Sequence, residues 1–143
     1  MLFEKKKETE RIAAALPAFE TVTLELTGMR MHEVYEIVQN GAESTVSRYG
    51  LRYENGADRR EPEGAAVLET AAVLEKLEAF GVASWNGFHG RHPRGVLDGM
   101  MFTLRITAGG ETLVFADGSE NFPRHFRKLL GWLGDLVRGE TDA

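Results

Sequence analysis

The chain has 143 residues, a length typical of one domain, and its 43% hydrophobic and 27% charged residues are ordinary for a globular protein. It contains no cysteine, which excludes disulfides, thiolate metal sites and thiol catalysis. The net charge of −5 disfavours sequence-independent binding to phosphate backbones, and no apolar run reaches the roughly 18 residues of a membrane-spanning helix.

The first 17 residues are predicted to form a helical arm. Residues 4–15 are rich in Glu, Lys, Arg and Ala, which favour a helix, and Pro17 ends the segment. The basic residues 1–7 are followed by no apolar segment, so they do not have the pattern of a signal peptide. We therefore expect a cytoplasmic protein, and secretion stays open if a leader has been removed.

Three strands are predicted next. Residues 21–27 alternate Thr or Glu with Val or Leu, which is the period of a half-buried strand. Residues 33–38 and 45–53 follow, and the Asn-Gly pair between them is a strong hairpin signal because both residues tolerate positive φ. A second Asn-Gly pair closes the third strand, and the polar stretch 57–64 is predicted to be a loop.

A helix, a hairpin and a second helix complete the chain. Apolar residues recur every three or four positions within residues 65–80, and Gly81 is a candidate left-handed C-cap. Residues 102–107 alternate as a strand, and a Gly-Gly turn leads to a partner strand at 112–116. The last helix is predicted for residues 123–138, with a proline in its first turn, where the missing N–H costs nothing.

The predicted order of elements is (α)βββ-α-ββ-α. Hairpin-linked strands imply an antiparallel sheet, and two amphipathic helices must then cover one of its faces. We therefore predict an α+β two-layer sandwich with an antiparallel sheet of about five strands and two helices on one face. The helical arm spans residues 1–17, the single α+β domain spans 18–139, and a short tail spans 140–143.

A His-x-x-His pattern in a loop at residues 88–93, which we call the His loop, is the main candidate for a site. His89 and His92 could bind zinc, copper or nickel if a third ligand such as Asp98 converged on the same point. Arg91 and Arg94 flank the pair and disfavour a cation, so an anion held by both arginines and a protonated histidine is an equal alternative. The simplest interpretation is two solvated histidines, and no metal or cofactor is predicted.

Three further polar residues have structural explanations that we favour. Asp98 could be a general base, but an Asp-Gly pair more simply forms a turn before a strand, because Asp accepts local backbone hydrogen bonds. Ser119 and Asn121 precede the last helix, whose free N–H groups could hold an anion. Capping of that helix, by Asn121 in particular, is the simpler role.

An aromatic cluster is predicted from Trp85, Phe88, Phe122 and Trp132. Trp85 and Phe88 directly follow a helix and could close the open end of the sandwich as core residues, which is the interpretation we prefer. The alternative is an apolar pocket in which a few polar groups orient a ligand. The candidate ligand-binding residues are Trp85, Asn86, His89, Arg91, His92, Asp98 and Asn121.

Three runs of residues carry a family resemblance. They are Ser84-Trp-Asn-Gly-Phe88, Val96-Leu-Asp-Gly99 with Phe102-Thr-Leu104, and Gly118-Ser-Glu-Asn-Phe-Pro123 with Phe126. Together they resemble a group of small uncharacterised α+β proteins of gut-associated Firmicutes, over about residues 20–137. The group has no assigned activity, so the resemblance implies a fold and no catalytic residues.

We expect a non-enzymatic module for protein interaction or ligand binding. The alternative is a small metal-dependent or acid/base hydrolase that uses His89, His92 and Asp98. An enzyme requires two or three of these side chains to converge in a cleft, whereas a binding module leaves them scattered.

An interaction module would use the sheet face that the helices leave open. Tyr35, Ile37, Tyr49 and Tyr53 are expected on that face, and their exposure would create an apolar patch for a protein partner or a second copy. A nucleic-acid partner would need the arginines to gather on one surface, so neither nucleic acid nor a membrane is an expected partner.

Overall fold

The computed structural model describes residues 2–97 and 99–139. Within these ranges the chain forms three α-helices and one seven-stranded sheet. The helices are α1 (Leu2–Ala15), α2 (Thr70–Phe80) and α3 (Phe126–Arg138), with short 3-10 helices at Leu16–Ala18 and Val82–Trp85. The strands are β1 (Phe19–Gly28), β2 (Met31–Asn40), β3 (Glu43–Glu54), β4 (Ala57–Glu69), β5 (His89–Gly90), β6 (Met101–Ala108) and β7 (Glu111–Ser119).

The sheet has the strand order β4-β3-β2-β1-β6-β7-β5. Neighbouring strands are antiparallel except β5, which runs parallel to β7, so the sheet is mixed. The protein is therefore α+β, but the predicted antiparallel sheet of about five strands with two helices is wrong. The additional strands are β4 and β5, and the third helix is α1, which was predicted as an arm and not counted among the two helices that cover the sheet.

The stretch predicted as a loop is the first half of β4. Residues 57–62 pair with β3 from the Asn-Gly turn onward, although almost all of them are exposed. A strand that is exposed on both faces needs no alternation of apolar and polar residues, so its sequence carries no period-two signal.

The start of α2 also differs from the prediction. Residues 65–69 finish β4, and the helix begins at Thr70 rather than at residue 65. The buried Thr70 hydroxyl donates to the Gly41 carbonyl at 2.8 Å and shares a 2.7 Å hydrogen bond with the Ser44 hydroxyl. The Thr70 N–H donates to the Ala42 carbonyl, so contacts distant in sequence decide where the strand ends.

All three helices contribute to one hydrophobic core. Val22, Leu24 and Leu26 of β1 alternate inward and pack with Leu129 of α3 in this core. From α1, Ile12 is 1% exposed and joins the same cluster. The helix at the N-terminus therefore packs against the rest of the molecule.

The sheet face opposite the helices is largely polar. Tyr35 and Ile37, which were expected on it, are 4% and 1% exposed and belong to the core. They lie opposite Leu24 and Val22 of β1, and residues directly opposite in a sheet project from the same face. The expected aromatic patch on the open face therefore loses these two members.

Candidate functional site

The sequence-predicted residues fall into two groups. His89, Arg91, His92 and Asn121 lie around β5 and the end of β7, whereas Trp85 and Asn86 lie under α1 and α3. Asp98 lies outside the described residues.

Two histidines hydrogen bond to residues of β7. His89 Nδ1 donates to the Asp117 carboxylate at 2.6 Å, and His92 Nδ1 lies 2.8 Å from the Ser119 hydroxyl. His92 Nε2 also contacts the Val96 carbonyl, which can only accept, so Nε2 carries the proton. In the neutral ring, Nδ1 then accepts from the Ser119 hydroxyl. These groups line an open cleft of about 390 Å³ beside residues 101–103.

The two imidazoles do not share a common target. Each has its own partner on β7, and both histidines are exposed. Arg91 contributes its backbone carbonyl, which accepts a 3.2 Å hydrogen bond from the Asn121 side chain. In the part of the chain that the structure describes, no group of three or more His, Asp or Glu side chains could hold a metal ion.

Asn86 connects α1 to β7. Its Nδ2 donates to Glu8 Oε1 at 2.8 Å, and its Oδ1 accepts from the Phe115 N–H at 2.9 Å. The Lys5 ammonium donates to the Asn86 carbonyl at 2.5 Å. The hydrogen bond from Asn86, followed by the charge of Lys5, lowers the pKa of the Glu8 carboxyl. Both ends of the Asn86 amide are thus engaged in contacts that hold the fold together.

Trp85 is 3% exposed and packs with its ring centroid 6.2 Å from that of Phe126, so the core role that we preferred for it is confirmed. Phe122 stacks on Phe126 at 4.9 Å and extends the cluster. Trp132 of α3 instead meets Phe80, the last residue of α2, with their ring centroids 6.1 Å apart. A cleft of about 470 Å³ remains beside Trp85 and Phe122.

Asn121 does not cap α3. The helix begins at Phe126, and the residue before it, His125, has a left-handed backbone with φ of 70° and makes no side-chain cap bond. Partial burial and the charges of Lys128 and Arg124 lower the pKa of His125. Four residues separate Asn121 from the start of the helix, and its side chain instead donates to the Arg91 carbonyl.

A larger apolar groove, which the sequence analysis missed, lies along the outer edge of β4. Its volume is about 710 Å³, and we call it the β4 groove. The residues lining it come from β3, β4, α2, α3 and the residue after α3, and they are Glu43, Ala65, Ala66, Val67, Leu68, Glu69, Ala72, Lys76, Trp132, Leu136 and Gly139. Val67 is 61% exposed at this edge.

The two halves of β4 differ in how their free edge is protected. Within the described chain β4 pairs only with β3, so alternate N–H and C=O groups on its other side have no strand partner. Natural proteins protect such edges with charges, proline or bulges. Residues 58–63 have all three, including Pro62 and a register shift opposite Arg48 and Tyr49. Residues 64–68, Gly-Ala-Ala-Val-Leu, have none.

The available sequence signal for this edge was the uncharged run at residues 64–68. This run also fits the first turn of the predicted helix, because Ala, Val and Leu at these spacings fit a helix as well as a strand. The groove itself arises from the positions of α2 and α3, which no local pattern encodes.

Compared with known proteins, this chain matches no family model, no curated protein and no solved structure. Among its described residues, no helix has both the length and the apolar character needed to cross a bilayer. The resemblance to the Firmicutes group stays a prediction, and the function is inferred from the residues of this chain.

Proposed function

We propose that the protein is an interaction module whose β4 edge receives an extended polypeptide strand. The observation that carries this proposal is the unprotected edge at residues 64–68 beside an apolar groove of about 710 Å³. An added strand would gain backbone hydrogen bonds from β4, and its alternate side chains would enter the groove.

Small side chains on β4 leave room for larger ones on the incoming strand. Ala65 and Ala66 form the strand side of the groove, and Trp132 and Leu136 of α3 form part of its other wall. Each Val or Leu that an incoming strand buries there contributes about 1.5–3 kcal/mol. The groove therefore favours a partner strand with apolar residues at alternate positions.

The charge at one end of the groove favours a cation on the partner. Glu43 and Glu69 lie directly opposite each other on β3 and β4, and like charges in that position destabilise a sheet. A lysine or arginine near the end of the incoming strand would relieve this repulsion. Partner strands are thus expected to combine alternate apolar residues with a basic end.

Peptide binding can be measured directly, because Trp132 lines the groove and reports on its environment. We expect the peptide Lys-Val-Thr-Val-Thr-Val-Lys to change the tryptophan fluorescence in a saturable manner and to shift the amide resonances of residues 64–68. The variant Val67→Lys adds a charge at the exposed edge and should weaken binding at least tenfold. The matched control Ala57→Lys adds the same charge in the protected half of β4.

Equal binding by the wild type and both variants would place the peptide elsewhere and contradict the proposed site. The absence of any saturable change up to millimolar peptide would contradict strand binding by this groove.

A second candidate function, the hydrolase predicted from the His loop, is favoured by the 2.8 Å contact of Ser119 with His92. With an ester, the Ser119 oxygen would attack the carbonyl carbon while His92 Nδ1 takes the hydroxyl proton and passes it to the leaving alkoxide. Water would then release the acyl group and regenerate Ser119. The hydrolase predicted from the sequence used His89, His92 and Asp98, of which Asp98 lies outside the described residues.

A fluorophosphonate probe tests this candidate, because it labels serines that a neighbouring base activates. We expect label on Ser119, none in Ser119→Ala, and at least tenfold slower labelling in His92→Gln. His89→Gln serves as the control, since His89 contacts Asp117 and not Ser119. A wild-type protein that stays unlabelled at saturating probe would eliminate the hydrolase.

A further inference from the structure

We propose that the cleft beside Trp85 binds a small aromatic carboxylate, which accepts a hydrogen bond from the Trp85 indole N–H and pairs with Arg124. The cleft lies between the end of α2 and the residues just before α3, and its volume is about 470 Å³. Pockets for small molecules are typically about 300–1,000 Å³ and combine an apolar lining with a few polar groups. The site shares no residue with the β4 groove and does not depend on the strand-binding function.

The first observation is a buried donor without an acceptor. Trp85 is 3% exposed, yet within the described residues its indole N–H makes no hydrogen bond. An indole nitrogen can only donate, and buried polar groups are almost always paired because an unpaired one has lost its hydrogen bonds to water. The nitrogen is not fully enclosed, and Trp85 borders the cleft. An acceptor bound in the cleft would therefore satisfy this donor.

The second observation is the positive charge at the rim of the cleft. Residues 122–134 contain three cationic side chains, Arg124, Arg127 and Lys128, and no acidic one. In the part of the chain that the structure describes, none of the three forms an ion pair. Arg124 lines the cleft, and Arg127 lies over the Phe122 ring at 5.1 Å. The three cations repel one another at the start of a helix, which favours negative charge, so a bound anion would offset this repulsion.

The acidic side chains nearest to the cleft are directed elsewhere. Glu120 accepts a hydrogen bond from a backbone N–H next to β6, and Glu8 accepts one from Asn86. Glu78 borders a separate cleft between α1 and α2. None of the described residues that line the Trp85 cleft is acidic. The lining therefore has a cation at its rim and no carboxylate that would repel an anion.

The third observation is the apolar lining, which comes from Phe80, Phe88, Phe122 and Pro123. Aromatic rings pack well against one another edge-to-face or offset, so a flat aromatic body suits these walls. His125 also lines the rim, and its pKa is lowered by partial burial and by the neighbouring cations. It is therefore neutral at pH 7 and offers one N–H donor. One lining cation and two neutral N–H donors match the single charge of a carboxylate.

Nuclear magnetic resonance tests the site with cinnamate as the probe, because the two tryptophans of the chain lie in different places. Trp85 borders the proposed site, whereas Trp132 lines the β4 groove. We expect the indole N–H resonance of Trp85 to move downfield in a saturable manner as cinnamate is added, and that of Trp132 to stay in place. The variant Trp85→Phe assigns the two resonances.

Titration calorimetry then measures the affinity in variants. Arg124→Gln should weaken cinnamate binding by about tenfold, because a charge-assisted hydrogen bond is lost. Arg124 is exposed, so its replacement leaves the core intact. The matched control Arg59→Gln makes the same change of charge on β4, at the opposite edge of the sheet from β5, and should leave the affinity unchanged. The neutral analogue cinnamamide should bind about tenfold more weakly than cinnamate.

The outcomes are independent of strand binding at the β4 groove. Val67→Lys, which should weaken peptide binding there, is expected to bind cinnamate as the wild type does. The absence of any saturable change up to millimolar cinnamate would overturn the proposed site. Equal affinity for cinnamate and cinnamamide would show that the cleft does not recognise the carboxylate, and a shift of Trp132 in place of Trp85 would put the probe in the β4 groove. Either result would overturn the proposal.

Discussion

Glycines explain much of the unusual sequence around the His loop. Gly90 and Gly118 lie opposite each other where β5 runs beside β7, and the Asn121 carbonyl oxygen packs against both. A Cβ on either glycine would overlap that oxygen, and a Cβ on Gly99 would overlap the side chain of Glu120. The glycines in these motifs are therefore required by close backbone packing, whether or not the cleft binds a ligand.

The substitution Gly118→Ala tests this close packing. We expect it to lower the free energy of unfolding by about 1–3 kcal/mol, because an additional atom must fit where backbone already lies. Denaturant titration followed by tryptophan fluorescence gives the value. Gly131→Ala is the control, since Gly131 lies exposed within α3 with open space around it, and a stabilisation of about 0.5–1 kcal/mol is expected there. Equal midpoints for wild type and Gly118→Ala would refute the packing argument.

Single residues of the cleft were predictable only in part. His89 and His92 could be selected from their spacing, but the contact of His92 with Ser119 depends on the parallel pairing of β5 with β7. That pairing involves two residues of β5, too short a strand to leave a periodic pattern. Asn86 was selected as a ligand-binding residue, yet its partners lie on α1 and β7, far away in sequence.

At the scale of elements, α1 is attached by one buried side chain and by hydrogen bonds of Lys5 and Glu8 with Asn86. Ile12 enters the core, and Glu8 accepts a hydrogen bond from Asn86. The pKa of Glu8 is lowered in the folded protein, chiefly by that hydrogen bond. Such a contact stabilises the fold above the ordinary pKa of the carboxyl and is lost as the pH falls through the lower, folded-state value.

The variant Glu8→Gln should therefore be less stable than the wild type at pH 7, and the difference should shrink as the pH falls to about 3. Protonation of Glu8 removes the charge from the wild-type contact, so the two proteins become alike. Urea denaturation at both pH values measures the difference. Glu10→Gln, an exposed position on the same helix, is the control. A difference that is equal at both pH values would indicate an effect unrelated to the Glu8 charge.

The elements that the sequence predicted best are those with local signals. The alternation in β1 and the left-handed Gly81 after α2, with φ of 74°, are both present. The boundary between β4 and α2 was wrong because residues 65–69 satisfy both patterns, and the buried contact between Ser44 and Thr70 decides between them.

At the scale of the whole molecule, the sheet joins two parts of the chain that are distant in sequence. β1 to β4 form successive hairpins, whereas β6 pairs with β1 across a long separation. Hairpins follow from turn residues, but the position of the β6–β7 hairpin beside β1 follows from the shared core. Local patterns therefore could not predict the order of the strands in the sheet. They also could not show that β4 and the two-residue β5 are its edge strands.

The central position of β1 also affects how the protein is made. On a ribosome that adds about 5–20 residues per second, β6 is synthesised about 4–15 s after β1. During that interval the nascent meander of β1 to β4 has two unpaired edges. Chaperones that bind exposed strands would act in this window. When the hairpin of β6 and β7 docks, β6 pairs with the exposed edge of β1. This pairing ends the period in which the nascent chain is most prone to aggregate.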